Sequence, residues 1–388
     1  MQLLRRGDSG PAVAEIRTML TGYGLLPDVP GGRNHGAAAQ FDRDVEDAVR
    51  AFQQRRGLIT DGIIGPSTYR ALREARWNLG DRMLALMISA PMSGDDVFAL
   101  QERLLELGYD VGRPGGVFDE QTEHGLRAFQ RDYGLTPDGV CGPQTLRALR
   151  QLGRKVTGGR PGLLREQELL RRAGPRLRGK RIVIDPGHGG ADTGVTVAGI
   201  TEADLMWDLA RRLVGRMSAT GMEALLSRQE NSCPPESDRA AFANAAGADL
   251  VLSLHTDANR SMRAEGLATF HFGNGSGATS TVGEALAGLI QRELLIRTSL
   301  LDCCSQPRTW ELLRLTRMPA VRVEVGYLTN LDDRRKLLDP GFRDVVAEGI
   351  LVGVKRLYLL GQNDQPTGTF TFSDVLAREL GRNEARAM

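Results

Sequence analysis

Two histidines and two glutamates occupy positions in this sequence where their side chains could hold a metal ion and move a proton. His188 lies among glycines that follow an apolar run and an Asp-Pro pair, and His255 directly follows a second apolar run. Glu202 opens a segment with helical periodicity, and Glu324 lies at the end of a third apolar run. Two histidines and one glutamate form the ligand set of a catalytic zinc site whose fourth position is left to water.

In such a site the ion lowers the pKa of its bound water and polarises a carbonyl group. Glu324 would accept the proton of the water and return it to the leaving amine, so hydrolysis of an amide is the reaction that these residues suit best. Taken singly, each histidine could cap a loop or a strand, Glu202 could serve the helix dipole, and Glu324 could be a surface group. Their common location at strand ends in one domain favours the metal site.

The elements that must position these residues alternate between strands and helices after residue 180. Strands are predicted at residues 181–185, 222–227, 250–254, 267–272 and 320–325, and helices at residues 202–219, 237–246, 279–298, 332–338 and 342–360. This alternation predicts a mostly parallel twisted sheet flanked by helices, in which ligands bind beyond the carboxyl ends of the strands. Thr201 is a predicted N-cap, so Glu202 lies in the first turn of its helix, on the same inward face as Leu205 and Leu209.

The first half of the chain contains an internal repeat. Residues 41–72 match residues 118–149, and both copies carry Ala-Phe-Gln, Gly-Leu, Asp-Gly and Gly-Pro-x-Thr groups at the same spacing. Apolar residues three and four positions apart predict amphipathic helices, and the Gly-Pro pair predicts the start of a third helix. Each repeat is therefore predicted to be a small three-helix unit, with an extra loop at residues 28–40 in the first. Cys141 occupies the position of Ile64, which predicts a packing role.

These patterns predict a multidomain chain. Its predicted parts are two helical repeats at residues 1–78 and 84–152, a linker at 153–179 with a short helical run at 163–173, an α/β domain at 180–360 and a C-terminal tail at 361–388. The tail is polar and holds three closely spaced threonines, Thr367, Thr369 and Thr371. It is either a frayed terminus or a regulatory segment in which a phosphate group would add charge.

Composition and charge restrict the class of protein. The chain has 388 residues, 41% of them hydrophobic and 25% charged, with a formal net charge of +2, which is typical of a soluble globular protein of two or three domains. Interleaved basic and acidic residues argue against a nucleic-acid binder, and no segment is apolar enough to span a bilayer. The absence of a signal peptide predicts a cytoplasmic protein, or an extracellular or wall protein if the natural N-terminus is missing. The four cysteines lack zinc-knuckle or disulfide spacing.

The motifs resemble two known families. Both repeats carry the Ala-Phe-Gln and Asp-Gly signature of the peptidoglycan-binding-domain-1 family. The second half resembles the zinc-dependent N-acetylmuramoyl-L-alanine amidase family of the amidase-3 type. The resemblance rests on Ile-Asp-Pro-Gly-His-Gly-Gly at 184–190, Glu202 at the start of the next helix, Ser-x-His at 253–255 and Pro-Ala-Val-x-Val-Glu-x-Gly-x-Leu-Thr-Asn at 319–330.

This resemblance implies an activity and a role for each motif residue. It implies zinc held by His188, Glu202 and His255, with Glu324 as the catalytic carboxylate. It implies cleavage of the amide between the muramyl lactyl group and L-alanine of peptidoglycan, with peptidoglycan or a muropeptide as the bound partner. Arg239 also lies at a familiar place in the pattern, and we expect it to support the structure near the site.

Two residues depart from the family pattern. Asp257 stands where the family usually has asparagine, and Arg322 stands where an aliphatic residue is common. Residues two apart in a strand share a face, so Arg322 is predicted to lie beside Glu324. An arginine there would favour the ionised carboxylate and weaken it as a proton donor. This predicts slow turnover, and a gain of activity when Arg322 is replaced by leucine.

The whole chain also resembles the actinobacterial CwlM group, in the order of its parts, the missing export signal and the tail. That resemblance implies an alternative function, a cytoplasmic regulator of peptidoglycan precursor synthesis that is weak or inactive as an enzyme. A Ser/Thr kinase would control it by threonine phosphorylation, and the UDP-N-acetylglucosamine enolpyruvyl transferase would be its partner. A third alternative is a sensor that binds cytoplasmic muropeptides or the lipid-linked precursor.

Overall fold

The computed structural model describes residues 3–27, 39–87, 89–152, 161–172, 174–274 and 278–359. The helices in these ranges are α1 (Pro11–Gly22), α2 (Arg43–Arg55), α3 (Pro66–Ala75), α4 (Asp95–Glu106), α5 (Glu120–Asp132), α6 (Pro143–Gln151), α7 (Pro161–Arg172), α8 (Glu202–Ala219), α9 (Glu236–Ala245), α10 (Thr281–Arg297), α11 (Glu311–Leu315), α12 (Leu331–Leu338) and α13 (Pro340–Leu359). The strands are β1 (Arg181–Pro186), β2 (Thr196–Val197), β3 (Ile200–Thr201), β4 (Glu223–Leu226), β5 (Leu250–Asp257), β6 (Leu267–Phe272), β7 (Asp302–Arg308) and β8 (Ala320–Tyr327).

The N-terminal half consists of two three-helix repeats, which confirms the predicted helical modules. Helices α1 to α3 surround one apolar core and α4 to α6 surround another, each built around two buried phenylalanines. Asp42 and Asp119 cap the second helix of each repeat, because their carboxylates accept backbone N–H groups of the first turn at 3.0 and 2.9 Å. Cys141 is buried in the second core and pairs with Leu84 through a backbone bridge, as its packing role predicts.

A buried glutamine stabilises the turn between the second and third helices of each repeat. In the first repeat, Gln53 Nε2 donates to Asp61 Oδ1 at 2.8 Å, to the Ile63 carbonyl at 3.0 Å and to Thr68 Oγ1 at 3.1 Å. Gln53 Oε1 accepts the backbone N–H of Gly62 at 2.9 Å. Gln130 makes the equivalent contacts in the second repeat. One side chain thus supplies the hydrogen bonds that a buried turn cannot obtain from water.

The second half forms a six-stranded sheet in the order β4-β1-β5-β8-β6-β7. Strands β4, β1, β5 and β8 pair in parallel, β6 is antiparallel to β8, and β7 is parallel to β6. Helices α8, α10 and α13 pack on one face, and α9 and α11 pack on the other. The mostly parallel sheet flanked by helices is therefore confirmed. Strands β5 and β8 extend further than predicted, so that His255 lies within β5, while Glu324 lies within β8 as predicted.

Three features of this half were not predicted. Strand β7 has the sequence Asp-Cys-Cys-Ser-Gln-Pro-Arg, which contains no apolar run, because an edge strand needs no second buried face. Helix α11 is a single short turn of five residues, below the length at which periodicity is visible. The two-stranded β2–β3 hairpin precedes α8 and is equally short.

The predicted linker contains α7, whose described side chain Glu166 binds the start of α10. Its carboxylate accepts Ser280 Oγ at 2.6 Å and the Val282 N–H at 3.0 Å. Residues 153–160 and 173, most of the predicted extra loop and the whole tail with its three threonines lie outside the described residues. The domain boundaries therefore stay predictions. Among the described helices, none is long and apolar enough to cross a bilayer.

We expect the substitution Gln53→Leu to destabilise the first repeat by about 2 kcal/mol, because it leaves the buried Gly62 N–H without an acceptor. Amide hydrogen exchange of α2 and α3 measures this loss locally. The neighbouring Gln54→Leu is the matched control, because Gln54 is exposed on the same helix. Equal protection in the two variants would contradict the assigned role of the glutamine.

Candidate metal centre

The site residues come from the carboxyl ends of adjacent parallel strands and from α8, the helix that follows the β2–β3 hairpin. His255 on β5 lies opposite Glu324 on β8 in the strand register. His188 projects from the turn after β1, and Glu202 is the first residue of α8. Thr201 caps this helix by accepting the Asp204 N–H at 3.2 Å, as the sequence predicts. The open-sheet rule for ligand sites therefore applies to this domain.

Three of the four predicted residues converge on one point. His188 Nε2 lies 3.3 Å from Glu202 Oε2, and His255 Nδ1 lies 3.0 Å from Glu202 Oε1. One ligand atom from each residue lies within 4.8 Å of the others. The side chain of Glu202 is 1% exposed and that of His188 is 28% exposed. The cluster is therefore buried on its glutamate side and open to solvent at His188.

The surroundings fit this cluster to hold a divalent metal ion. Glu202 also accepts the backbone N–H groups of Val195 at 3.1 Å and Thr256 at 3.0 Å, which fixes its carboxylate. His188 Nδ1 lies 2.8 Å from Asp192 Oδ2. A carboxylate on one ring nitrogen directs the lone pair of the other nitrogen toward a metal. Sequence reasoning missed Asp192, although its place four residues after His188 in the glycine-rich turn was a usable signal.

The surroundings shift the pKa values of the two histidines in opposite directions and hold Glu202 in its ionised form. Burial acts to raise the pKa of Glu202, but hydrogen bonds from His188 and His255 outweigh it and hold the pKa well below its usual range. The hydrogen bond to Glu202 raises the pKa of His188 and outweighs burial, which acts to lower it. Burial, and then the charge of Arg322, lower the pKa of His255 to about 4. His255 is therefore neutral at physiological pH, as a ligand must be.

Glycines allow the close approach of these three side chains. A Cβ atom on Gly194 would lie 2.6 Å from His188 Cδ2 and 2.7 Å from Glu202 Oε2, and a Cβ on Gly187 would overlap the ring of His255. His188 itself has a φ of 56°, a backbone conformation that residues other than glycine rarely adopt. The glycine-rich motif is therefore required by the packing of the site and not only by the turn.

A buried ion pair supports the turn that carries His188. Asp185 accepts hydrogen bonds from Arg239 at 2.8 Å and from Ser253 at 2.7 Å, and also from Ser227. Arg239 donates in addition to the carbonyls of Pro186 at 2.7 Å and His188 at 2.9 Å. Arg239 thus lies behind the turn, in the supporting position that the sequence predicts. Its partner Asp185 was not identified, because a strand residue gives no sign of its buried contacts.

Glu324 forms an ion pair with Arg322, as their shared strand face predicts. Arg322 Nε and Nη2 lie 3.1 and 3.0 Å from Glu324 Oε1. The guanidinium carbon lies 4.3 Å from the centre of the Trp310 ring, and Nη1 lies 3.8 Å from Glu236 Oε1. Neither Trp310 nor Glu236 was predicted, since both are distant in sequence and approach β8 only through the fold.

The ionisation of Glu324 differs from the sequence-based expectation. Arg322 does lower the pKa of this carboxyl, but burial has the larger effect, and the negative charge of Asp257 adds to it. The pKa is raised to about 7. A carboxyl with a pKa near the working pH can both accept and return a proton, so the arginine does not by itself abolish proton donation. Asp257 lies beside Tyr327, whose phenol pKa is raised by burial and by this charge.

Comparison with known proteins identifies similar chains for both halves. Residues 182–356 match the family model of N-acetylmuramoyl-L-alanine amidase. Residues 9–72 and 93–149 match the family model of a putative peptidoglycan binding domain. These ranges coincide with the α/β half and with the two helical repeats.

Individual relatives extend this picture. The N-acetylmuramoyl-L-alanine amidase CwlM of Mycobacterium tuberculosis is 54% identical over 390 residues, which cover 98% of this chain and 96% of the relative. The N-acetylmuramoyl-L-alanine amidase LytC of Bacillus subtilis is 32% identical over 46% of this chain and 36% of its own length. The crystal structure of an N-acetylmuramoyl-L-alanine amidase from Clostridium difficile 630 covers 48% of this chain and 100% of its own, with 28% identity and a TM-score of 0.45.

We expect Asp185→Ala to destabilise the α/β half by about 3 to 5 kcal/mol, because it leaves the charge of Arg239 buried without a partner. Denaturant unfolding measures the loss. Asp332→Ala is the control, because Asp332 forms only an exposed pair with Arg335 and its removal should cost about 0.5 kcal/mol or less. Similar unfolding midpoints for the two variants would contradict the supporting role of the buried pair.

Proposed function

Because the chain belongs to the N-acetylmuramoyl-L-alanine amidase family, we propose that His188, Glu202 and His255 hold zinc and that Glu324 is the catalytic carboxylate. The protein hydrolyses the amide between the muramyl lactyl group and L-alanine of peptidoglycan. The observation that carries this proposal is the convergence of the three ligand atoms beside the strand that bears Glu324.

The donor set supports zinc as the ion. Two imidazole nitrogens and one carboxylate oxygen are ligands that zinc commonly takes in proteins. One such atom from each of the three residues lies within 4.8 Å of the others. Bound zinc would polarise the scissile carbonyl and lower the pKa of a coordinated water. The side chain of His188 is 28% exposed, so solvent reaches this side of the cluster.

The residues of the chain itself account for the proton transfers. Glu324, with a pKa of about 7, is partly ionised at neutral pH and can take a proton from the attacking water. Once protonated in its buried position, it can donate that proton to the departing amine. Asp192 contacts the ring of His188 and Arg239 donates to its backbone carbonyl, so both keep His188 in place during this cycle.

The two N-terminal repeats support a substrate in the form of polymeric peptidoglycan. Both match the peptidoglycan binding domain family, and they precede the hydrolytic domain in one chain. A binding module attached to an enzyme raises the local concentration of its substrate. We propose that the repeats retain the polymer while the second half cleaves it.

A second proposal rests on the order of the parts of the chain and on the three closely spaced threonines of its tail. In it the protein acts mainly as a phosphorylated regulator of peptidoglycan precursor synthesis, with a Ser/Thr kinase acting on Thr367, Thr369 or Thr371 and the enolpyruvyl transferase as partner. The two proposals share the fold and the metal site. A folded, zinc-loaded protein that turns over no muropeptide would favour the second.

The first proposal is tested by amidase activity of the purified full chain on muropeptides with zinc present. We expect chelation to abolish turnover and Glu324→Gln to lower kcat by about 100-fold or more, the usual contribution of a positioned acid and base. Glu284→Gln is the control, since Glu284 is exposed on α10. Turnover that survives both chelation and Glu324→Gln would overturn the proposal.

The pH profile tests the effect of Arg322 on Glu324. Removing the arginine removes a charge that lowers the pKa of the carboxyl, so the pKa should rise further above its present value of about 7. For Arg322→Leu we expect the acidic limb of the profile of kcat/KM to move to higher pH by about one to three pH units. Activity then falls at pH 6, and a gain from the substitution is confined to alkaline pH.

The control for this experiment is Arg292→Leu, which removes an exposed arginine of α10 and changes the net charge by the same amount. Its profile should coincide with that of the unmodified protein. An acidic limb at the same pH in both variants would show that Arg322 does not govern the ionisation that limits turnover.

A further inference from the structure

Both repeats contact one short segment of the α/β half. This segment comprises residues 308–317, includes α11, and is called the α11 segment. Arg113 of the second repeat donates from Nη2 to the carbonyls of Leu313 at 2.6 Å, Arg314 at 3.2 Å and Thr316 at 2.5 Å. These are carbonyls at the end of a helix, which have no partner within it. Arg113 of the second repeat therefore supplies the hydrogen-bond donor for the free carbonyls at the C-terminal end of α11.

Further contacts hold the same segment from both repeats. Arg314 pairs with Glu74 of the first repeat at 2.7 Å and donates to the Gly115 carbonyl of the second repeat at 2.6 Å. Arg70 pairs with Glu311 at 3.2 Å. The side chains of Arg314 and Glu74 are only 14% and 13% exposed, so this pair is well shielded from solvent. Side chains of both repeats thus hold the α11 segment in place.

The opposite end of the α11 segment touches the catalytic centre. Trp310 directly precedes α11, and its ring lies against the Arg322 guanidinium at 4.3 Å and against the Phe270 ring at 4.7 Å. Glu236 links α11 to Arg322, because its Oε2 accepts the Leu312 N–H at 3.0 Å while its Oε1 faces Arg322. Direct contacts therefore run from the repeats through the α11 segment to the arginine that binds Glu324.

We propose that Trp310 is a positioning residue for the reaction, because it orients Arg322 beside Glu324. We also propose that the repeats influence the catalytic centre, because they hold the α11 segment that carries Trp310. The aromatic ring restricts the arginine to the orientation in which Nε and Nη2 both face Glu324. Without the ring, the long Arg322 side chain gains conformations that do not contact the carboxylate. This inference rests on the proposed role of Glu324, and it assigns the repeats a second role beside binding the polymer.

The first test uses fluorescence and needs neither metal nor substrate. The chain contains three tryptophans, so the double variant Trp77→Phe/Trp207→Phe leaves Trp310 as the only indole. In this background we expect Arg113→Ala, and the milder Glu74→Gln, to increase acrylamide quenching of Trp310. Arg131→Ala, an exposed arginine of the same repeat, should leave quenching unchanged. Unchanged quenching in Arg113→Ala and Glu74→Gln proteins that remain folded would overturn the link between the repeats and Trp310.

The second test is a kinetic double-mutant cycle with Arg322. At pH 6, where Arg322→Leu is expected to lower activity, Trp310→Ala should lower kcat/KM by about threefold, the factor that a lost cation–π contact corresponds to, and Trp310→Phe should restore the original value. In the Arg322→Leu background, Trp310→Ala should have no further effect. The same effect in both backgrounds would overturn the positioning role.

These tests separate the inference from the proposed function. A zinc-loaded chain without any turnover would refute the amidase proposal and with it the kinetic role of Trp310. The quenching experiment would still report whether the repeats hold the α11 segment, because it does not depend on activity.

Discussion

The site depends on one buried ion pair, between Asp185 and Arg239. Two opposite charges are stable inside a protein only when hydrogen bonds satisfy their remaining polar atoms, and here two serines and three backbone carbonyls do so. One of these carbonyls belongs to His188, so the pair fixes the backbone from which that ligand projects. His255 needs no comparable support, because it lies within a central strand that pairs with strands on both sides. The two histidines therefore reach the same point by different physical means.

The two glutamates of the centre show how surroundings give identical side chains different chemistry. Glu202 receives hydrogen bonds from two histidines and two backbone amides, which overcome its burial and keep it ionised. Glu324 is buried as well, but a single arginine does not offset the cost of burying its charge, and its pKa rises to about 7. Carboxyl groups whose pKa values are driven apart in this way can take separate roles. One remains a fixed anion that suits a metal ligand, and the other can exchange protons near neutral pH.

The sequence was sufficient to predict what depends on local pattern. The central strands are apolar runs, Glu202 follows its N-cap, and Arg322 shares a strand face with Glu324, so their placement follows from periodicity. The contributions of Asp185 and Trp310 could not be predicted, because they depend on contacts made only after folding. The ionisation of Glu324 was also beyond the sequence, since an arginine two residues away is visible in the chain while the depth of burial is not. Strand β7 was missed because its edge position imposes no apolar pattern.

The α11 segment shows a further reason why sequence patterns understate long-range organisation. Its contacts with the repeats are ion pairs and bonds from arginines to backbone carbonyls, and such contacts require no periodicity in either partner. Yet they join the part of the chain that resembles a polymer-binding module to the part that resembles a hydrolase. Because these contacts end at Trp310 and the Arg322–Glu324 pair, we infer that the environment of Glu324 depends on the position of the repeats. The chain is therefore better understood as one assembly around α11 than as independent modules in series.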